Sequence, residues 1–393
     1  MVAVVPYLFA SAYFHFTSTR IAVRAEADLL RGRISSAQAL LNWVLWFHPD
    51  NPRANLALGK IELAAGNANE AIKRLRRIPE ESDLYAAASL QVATTLAFDG
   101  QLTLAEEELE RYFQRCVPAQ AAWDLYFRIL YLQSRTRDVI SLLERKLNFG
   151  TVALSDAKFL LKAEFVPQDP GEGLEVLQEI HRKHPADINA QVALAISLRR
   201  RNQASESERL LRSALDREPG HLRARIMLAQ WLADQPEIQL AKEVLWQRSG
   251  YPALSLTEPI AQDDRFWQLS SRLAERDQEI SLALQYIDRA LEIRVRDKRY
   301  LSQRAQILRR LSDKSAANIA AQLSVEAGQI EQTLYLMSRE FENRPIDATD
   351  CHEVAELYRR LGRPSRSQVW ERLERQLVET QSVNKMLRRT TAQ

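Results

Sequence analysis

The stretch GNANEAIKRL, residues 66–75, places an alanine five residues after its opening glycine and a leucine four residues after that alanine. The same three residue types, at the same spacing, begin 34 positions earlier at Gly32 and 34 positions later at Gly100. A fixed period of this length is typical of stacked arrays of one structural unit. The 34-residue repeat therefore indicates the fold most directly.

We number each 34-residue unit so that this glycine is position 15, the alanine position 20 and the leucine position 24. Seven consecutive units carry leucine at position 24: Leu41, Leu75, Leu109, Leu143, Leu177, Leu211 and Leu245. Position 20 is mostly small, and position 8 is small in five of the seven units. Two helices cross closely only where side chains are small, and residues four apart share one helix face. The pattern predicts a first helix, a turn and a second helix per unit, with the leucine filling the space between neighbours.

These units resemble the tetratricopeptide repeat family. The resemblance covers residues 18–251 as seven units, and it includes the pair Leu58-Gly59, Pro49 in an inter-unit loop and Trp123 at the family's tryptophan position. Most units lack that tryptophan, so the resemblance depends on the shared phase. It implies an all-α, right-handed solenoid of about ten helical hairpins. With its apolar N-terminus, the chain resembles in particular the membrane-anchored bacterial members of the family.

The period also divides the chain. We expect an apolar N-terminal segment, seven regular repeats, a proline-bearing linker, degenerate repeats and a polar tail. Their bounds are 1–17, 18–252, 253–263, 264–379 and 380–393. Within the degenerate part, Gly328 and Gly362 are again 34 residues apart, which suggests that the period returns there.

Residues 2–16 form an apolar run without charged side chains. The run is shorter than the ~20 residues of a spanning helix, and no basic residue precedes it as in a signal peptide. Three interpretations stay open: a membrane anchor, a packed capping helix and a cleaved signal. If the run spans as written, Arg20 and Arg24 after it would hold the rest of the chain in the cytoplasm, but basic residues upstream would reverse this orientation. The side of the membrane therefore stays open, and without membrane attachment the chain is expected in the cytoplasm.

Nothing in the sequence indicates catalysis. The net charge of +3 does not by itself indicate nucleic acid, and the lone Cys116 and Cys351 are interpreted as buried thiols. No phosphate-binding, zinc-protease or nucleophile-elbow motif occurs. We therefore expect no enzyme activity, no cofactor and no metal. His181 and His184 could share a metal, but His184-Pro185 repeats the position of His48-Pro49 in the loop between units, so a structural or solvated role is the preferred interpretation.

Two further groups are given structural interpretations. The carboxylates Glu106, Glu107 and Glu108 are expected on the solvated face of an amphipathic helix. Trp43 and Trp46 are expected in the core.

The resemblance implies a concave groove lined by first helices at positions 2, 5, 9 and 12. Eight residues at those positions are the candidate partner-binding set: Arg53, Lys60, Arg128, Tyr131, Lys158, Lys162, Arg199 and Arg223. Seven of the eight are cationic, which favours acidic or carboxylate-bearing protein segments. The alternative is that these cations are simply exposed.

The sequence thus predicts a non-catalytic adaptor that binds partner segments in a solenoid groove, at a membrane surface if residues 2–16 attach to one. Two alternatives remain. One is an RNA-binding helical-repeat protein, although such arrays usually have a 35-residue period. The other is an accessory subunit that positions a separate enzyme.

Overall fold

In the computed structural model of the protein, the predicted all-α fold of helical hairpins is confirmed. The structure describes residues 20, 21, 23–25, 27–29, 31–149, 152–166, 173–247, 250, 252, 253, 256 and 259–390, with side chains up to 380 and at 382. Over these residues the regular structure is helical throughout, and no strand occurs. The apolar run 2–16 lies outside the described residues.

The helices of the repeat array follow one another along the chain. They are α1 (Ile34–Phe47), α2 (Pro52–Ala64), α3 (Ala68–Leu75), α4 (Tyr85–Asp99), α5 (Leu102–Arg115), α6 (Gln120–Leu132), α7 (Thr136–Leu147), α8 (Leu154–Phe165), α9 (Leu174–Lys183), α10 (Ile188–Arg200), α11 (Ala204–Arg217), α12 (Leu222–Asp234) and α13 (Ile238–Trp246). The even-numbered helices from α2 to α12 carry position 8 and are the first helices of their units. The odd-numbered helices carry position 24 and are the second helices.

A short 3-10 helix, Pro259–Gln262, precedes the C-terminal helices. These are α14 (Asp264–Arg276), α15 (Ile280–Ile293), α16 (Lys298–Arg310), α17 (Lys314–Asn343), α18 (Ala348–Arg360) and α19 (Pro364–Thr390). No helix in the described part of the chain combines the length and the apolar content that a membrane crossing needs.

The position-24 leucines are buried in every unit. Their exposed fractions are 0% at Leu41, Leu109, Leu143, Leu177 and Leu245, 1% at Leu211 and 2% at Leu75. A Cβ added to Gly59, at position 8, would lie 2.8 Å from Cδ2 of Leu75. The leucine therefore fills the space that the small residue of its own hairpin leaves, while the predicted filling of the space between neighbouring units stays a prediction.

In five units the turn between first and second helix keeps one conformation while its residue changes. Position 15 has positive φ at Gly32, Gly66 and Gly100, as expected for glycine. One repeat later Ser134 has φ 53°, and Asn202 has φ 61° at the same position. The packing of the two helices therefore imposes the turn even where a side chain makes it unfavourable.

The chain forms two compact units. The first contains the described residues up to 129 and those of 175–190, and the second contains the described residues of 130–174 and those from 191 onwards. The core of the first unit begins with residues of α1 and α2, among them Leu41 and Leu58. The second unit buries large aromatic side chains as well, including Trp267 and Trp370, both 0% exposed.

The suggestion that the period returns at Gly328 is wrong. Gly328 lies inside α17, which runs without a break from Lys314 to Asn343. The turn residues are Ser312, with φ 64°, and Gly362, with φ 68°. They are 50 residues apart, 16 more than one repeat, and α17 with 30 residues is 16 longer than α15 with 14. An elongated second helix therefore accounts for the lost phase.

Candidate functional site

Three of the predicted groove residues lie in the first unit and face solvent. Arg53 and Lys60 are on α2, Arg128 is on α6, and all three side chains are exposed. Among the described residues, none of the three has a hydrogen-bond or ion-pair partner. Their charges are thus available to a ligand.

Two predicted groove residues in α8 make contacts inside the second unit. The Lys158 ammonium donates to the Phe341 carbonyl oxygen at 2.7 Å, and Lys162 pairs with Glu342 at 2.8 Å. Both partners lie at the end of α17. The lysines reach them because α8 and α17 pack together. These two lysines therefore already hold a neighbouring helix.

The remaining predicted residues are also engaged or covered. Arg199 pairs with Asp234 at 3.0 Å, and Arg223 donates to the backbone carbonyl of Ser134 at 3.2 Å. Burial, together with the nearby positive charge of Arg135, lowers the pKa of the Arg223 guanidinium to about 9. Tyr131 is half-buried. A binding role for this set stays a prediction: three of its residues lie in the first unit and five in the second.

A buried group of charges joins α8 to the last hairpin. The Glu164 side chain, 3% exposed, pairs with Arg363 and Arg366 and accepts a hydrogen bond from the Tyr358 hydroxyl at 3.1 Å. Arg366 also pairs with Glu144 of α7 at 2.9 Å. Burial and the adjacent Glu164 raise the pKa of Tyr358 well above its ordinary value, so its hydroxyl keeps its proton.

A groove lined largely by cationic side chains lies between α14 and α16 of the second unit, and we call it the basic groove. It encloses about 1020 Å³ and is lined by twelve residues, of which five are cations and one is a carboxylate. The cations are Arg272, Arg276, Lys298, Arg299 and Arg310, and the carboxylate is Glu275.

The sequence-based prediction missed this groove because the groove positions were assigned only as far as residue 251. The same register can be restarted from Trp267 as position 4. It then places Arg272 at position 9 of α14 and Arg299 at position 2 of α16. Both are positions that line the groove in the resembled family, so the signal was present in the sequence.

The expected solvated face of α5 is partly wrong. Glu107 is exposed, but Glu106 is 9% exposed and Glu108 only 3%. Glu108 accepts a hydrogen bond from Ser89 at 3.0 Å and pairs with Arg111 at 2.9 Å. A carboxylate can be buried here because these partners replace its water.

The expected core position of two tryptophans is also wrong. Trp46 is 77% exposed and Trp43 is 43% exposed. Both rings stack edge to face on Phe47, with centroid separations of 4.5 and 4.8 Å. They lie on α1 opposite the buried Leu41, so the helix has an apolar face on each side.

The histidines and cysteines that the structure describes do not form a metal site. His184 lies 2.7 Å from the Asp99 carbonyl oxygen through Nε2, which agrees with its structural interpretation. Over the described residues, no group of three potential metal ligands comes together. Cys351 is buried as expected, Cys116 is half-buried, and both thiols are free.

Residues 28–93 match the family model described as tetratricopeptide repeat. The match covers α1 to α3 and much of α4, the region that contains GNANEAIKRL. No curated protein matches the sequence.

Solved structures with a similar fold include MamA from Desulfovibrio magneticus RS-1, with 17% identity and a TM-score of 0.35 over 45% of this chain and 98% of that one. MamA of MSR-1 aligns with 12% identity and a TM-score of 0.33, over 44% of this chain and 94% of that one. A monomeric mutant of IFIT1 with Gppp-AAAA aligns with 13% identity and a TM-score of 0.38, over 82% of this chain and 90% of that one. Identities this low are no guide to a shared ligand.

Proposed function

We propose that this chain, which carries tetratricopeptide repeats over residues 28–93, is a non-catalytic scaffold that binds segments of other proteins along its first helices. Stacked helical repeats present extended surfaces of this kind. The observation that carries the proposal is the set Arg53, Lys60 and Arg128. These exposed cations occupy groove positions in the first unit and have no ion-pair partner among the described residues.

The partner segments are proposed to be acidic. An exposed cation without an internal carboxylate gains more from an anionic ligand than one that must first release its own partner. Lys158 and Lys162 are in that second situation, because each already binds a group at the end of α17. The first-unit cations are therefore the better test of partner binding.

The test is a pull-down from the native cell with the full chain and charge-reversal variants. Lys60→Glu and Arg128→Glu are expected to lose the partners that the unmodified chain retains. Arg77→Glu is the matched control, because Arg77 is exposed and lies outside the first helices. Retention of every partner by Lys60→Glu and Arg128→Glu, or an equal loss with Arg77→Glu, would contradict the proposal.

Attachment to a membrane surface through residues 2–16 is a separate part of the proposal, supported by the apolar composition of that run. We expect the full chain to float with liposomes in a density gradient and a chain without residues 1–17 to stay at the bottom. Equal flotation of both would remove this part and leave the scaffold function standing.

A further inference from the structure

We propose that the turn at Ser134, together with Arg200 and Arg223, is a binding site for a single phosphate group, either free or carried as a monoester by a small molecule. The inference goes beyond the proposed scaffold function, because the ligand is a small anion and the three residues all lie in the second unit.

Two arginines from different helices reach the same turn. Arg200, the last residue of α10, donates from Nη1 to the Ser134 hydroxyl oxygen at 3.3 Å. Arg223, in the first turn of α12, donates from Nη2 to the Ser134 carbonyl oxygen at 3.2 Å and also to the Gln133 carbonyl oxygen. The turn before α7 therefore brings together two guanidinium groups that are distant in the sequence.

Neither of these guanidinium groups has a carboxylate partner. Both donate to neutral oxygens, and in the described part of the chain no ion pair involves Arg200 or Arg223. The acid whose negative charge acts on Arg223 is Asp138, and Asp138 is already paired with Arg135 at 2.5 Å. The protein thus brings two positive charges to this turn without supplying acids for them.

The ionisation of Arg223 reflects this arrangement. The side chain is half-buried, and protein surrounds its guanidinium. Burial, with the positive charges of Arg135, Arg265 and Arg200, lowers the pKa of Arg223 to about 9. Arg265 has its own carboxylate, since it binds Asp263 at 2.9 Å. A charge that is held away from water and among like charges is stabilised by a counter-ion, and an anion at this turn would supply one.

The number of unpaired charges indicates a phosphate. A phosphate monoester carries a charge of about −1.5 to −2 at pH 7, which matches the two guanidinium groups, whereas one carboxylate would neutralise only one of them. Guanidinium groups also bind phosphate oxygens through parallel N–H groups. The ligand expected here is therefore a phosphate dianion.

The turn leaves donors available for such a ligand. In the described structure Arg223 uses only Nη2 for the turn, so its Nε and Nη1 groups keep their protons for an acceptor. The Ser134 hydroxyl accepts from Arg200 and can donate its own proton to a phosphate oxygen. The bonds of Arg223 to the turn orient its guanidinium before the ligand arrives, which reduces the entropy lost on binding.

The experiment measures binding of inorganic phosphate to the purified full chain by isothermal titration calorimetry, at constant ionic strength and at a pH above the second pKa of phosphate, about 6. Acetate represents a single carboxylate, and glycerol phosphate represents a monoester. Phosphate is expected to bind more tightly than acetate. Tighter binding of glycerol phosphate than of inorganic phosphate would identify a phosphorylated small molecule as the source, and the reverse order would identify the free ion; both orders support the site.

Arg200→Gln and Arg223→Gln each remove one of the two unpaired charges. Each should weaken phosphate binding about tenfold, because charge-assisted hydrogen bonds are lost. Arg201→Gln is the matched control, since it removes the adjacent exposed arginine and should leave the affinity unchanged. Arg200 is exposed, so Arg200→Gln should melt like the unmodified chain without phosphate, and Arg223→Gln keeps an amide donor for the Ser134 carbonyl oxygen.

A second measurement uses stability. Phosphate should raise the melting temperature of the unmodified chain more than acetate does, and Arg200→Gln should reduce this rise, because only a ligand that binds the folded state stabilises it.

Three results would overturn the inference: equal affinity for phosphate and acetate, equal weakening by Arg201→Gln, or unchanged affinity in both Arg200→Gln and Arg223→Gln. The scaffold function is tested separately by Lys60→Glu and Arg128→Glu in the first unit. A failed phosphate titration would therefore remove this site and leave the scaffold function standing.

Discussion

The hairpin α2–α3 is held by an apolar contact in which Leu75 fills the space beside Gly59, whereas the hairpin α18–α19 contacts α8 through a buried group of charges around Glu164. The first contact joins residues 16 apart within one repeat. The second joins residues about 200 apart, and no period in the sequence connects them. Local contacts that recur with the repeat can be predicted from the sequence pattern, whereas long-range ionic contacts cannot.

The two contacts should also differ in how they fail. An apolar contact loses stability in proportion to the side-chain volume that a substitution removes. A buried charge group loses more when one member is neutralised, because the remaining charges stay buried without compensation. The variants below use this difference, from the largest expected effect to the smallest.

Glu164→Gln tests the charged contact. The substitution keeps the shape of the side chain but leaves Arg363 and Arg366 without their shared carboxylate. We expect a loss of about 3 to 5 kcal/mol in the free energy of unfolding of the second unit, measured by chemical denaturation. Glu342→Gln, which neutralises an exposed partner of Lys162, should have little effect. Equal effects of the two variants would show that burial does not distinguish these ion pairs.

Leu75→Ala tests the apolar contact. It removes a side chain that is 2% exposed and leaves a cavity beside Gly59. We expect a loss of about 2 to 5 kcal/mol and a corresponding fall of the melting temperature. Leu211→Ala, at the same position of another unit, should behave alike. Leu104→Ala is the control, since Leu104 is 41% exposed. A melting temperature lowered equally by Leu104→Ala would contradict the packing of Leu75 against Gly59.

Two glycine substitutions sharpen the comparison because both glycines lie inside helices. A Cβ at Gly59 would meet Leu75 at 2.8 Å, whereas a Cβ at Gly328 would meet only Cδ of Lys298, at 3.7 Å. Gly328→Ala should stabilise by about 0.5 to 1 kcal/mol through helix propensity. Gly59→Ala gains the same helix propensity but crowds the Leu75 side chain, so we expect a net loss of about 1 kcal/mol in the free energy of unfolding. If both substitutions raise the melting temperature, Leu75 does not pack tightly against Gly59.

The smallest effect concerns pH. His221 caps α12 by accepting a hydrogen bond from the Ala224 amide through Nδ1 at 3.2 Å. Burial, with the positive charge of Arg223, lowers the pKa of His221 below its ordinary value. The folded state thus binds this proton more weakly than the unfolded state, so the contribution is complete above pH ~6.5 and is lost as the pH falls through the lowered pKa.

His221→Asn should retain the cap, because asparagine is a favoured capping residue. We expect this variant to lose less stability than the unmodified chain when melting at pH 7 is compared with melting at pH 5. Parallel losses in both proteins would show that His221 does not contribute to the pH dependence.

The sequence was sufficient for the fold class, the hairpin unit and the buried leucines, because each depends on residue type at a fixed spacing. It was insufficient for α17, because the repeat pattern does not indicate that this second helix is 16 residues longer than α15, the second helix of an earlier hairpin. It also could not foresee that Lys158 and Lys162 bind the end of α17, some 180 residues away. Trp46 was misplaced because an aromatic residue within a helical pattern is normally buried.

The basic groove shows a different limit. Once the register is restarted at Trp267, Arg272 and Arg299 occupy positions 9 and 2, which the repeat assigns to the concave surface, whereas Arg276 and Arg310 fall at position 13, which it does not. The sequence contains the groove residues. It does not show that Arg272 and Arg310 are held by Asp234 and Gln278 while Arg276 is uncommitted.

The central claim is that a small residue at position 8 and a leucine at position 24 occupy one shared space. The most direct test is a double-mutant cycle on Gly59 and Leu75, read from chemical denaturation. In the unmodified chain Gly59→Ala should destabilise, and in the Leu75→Ala chain the added methyl group should enter the vacated space and stabilise, which gives a coupling of about 1 to 2 kcal/mol. If the effect of Gly59→Ala is the same in both backgrounds, the two residues do not share a space and the account of the repeat is wrong.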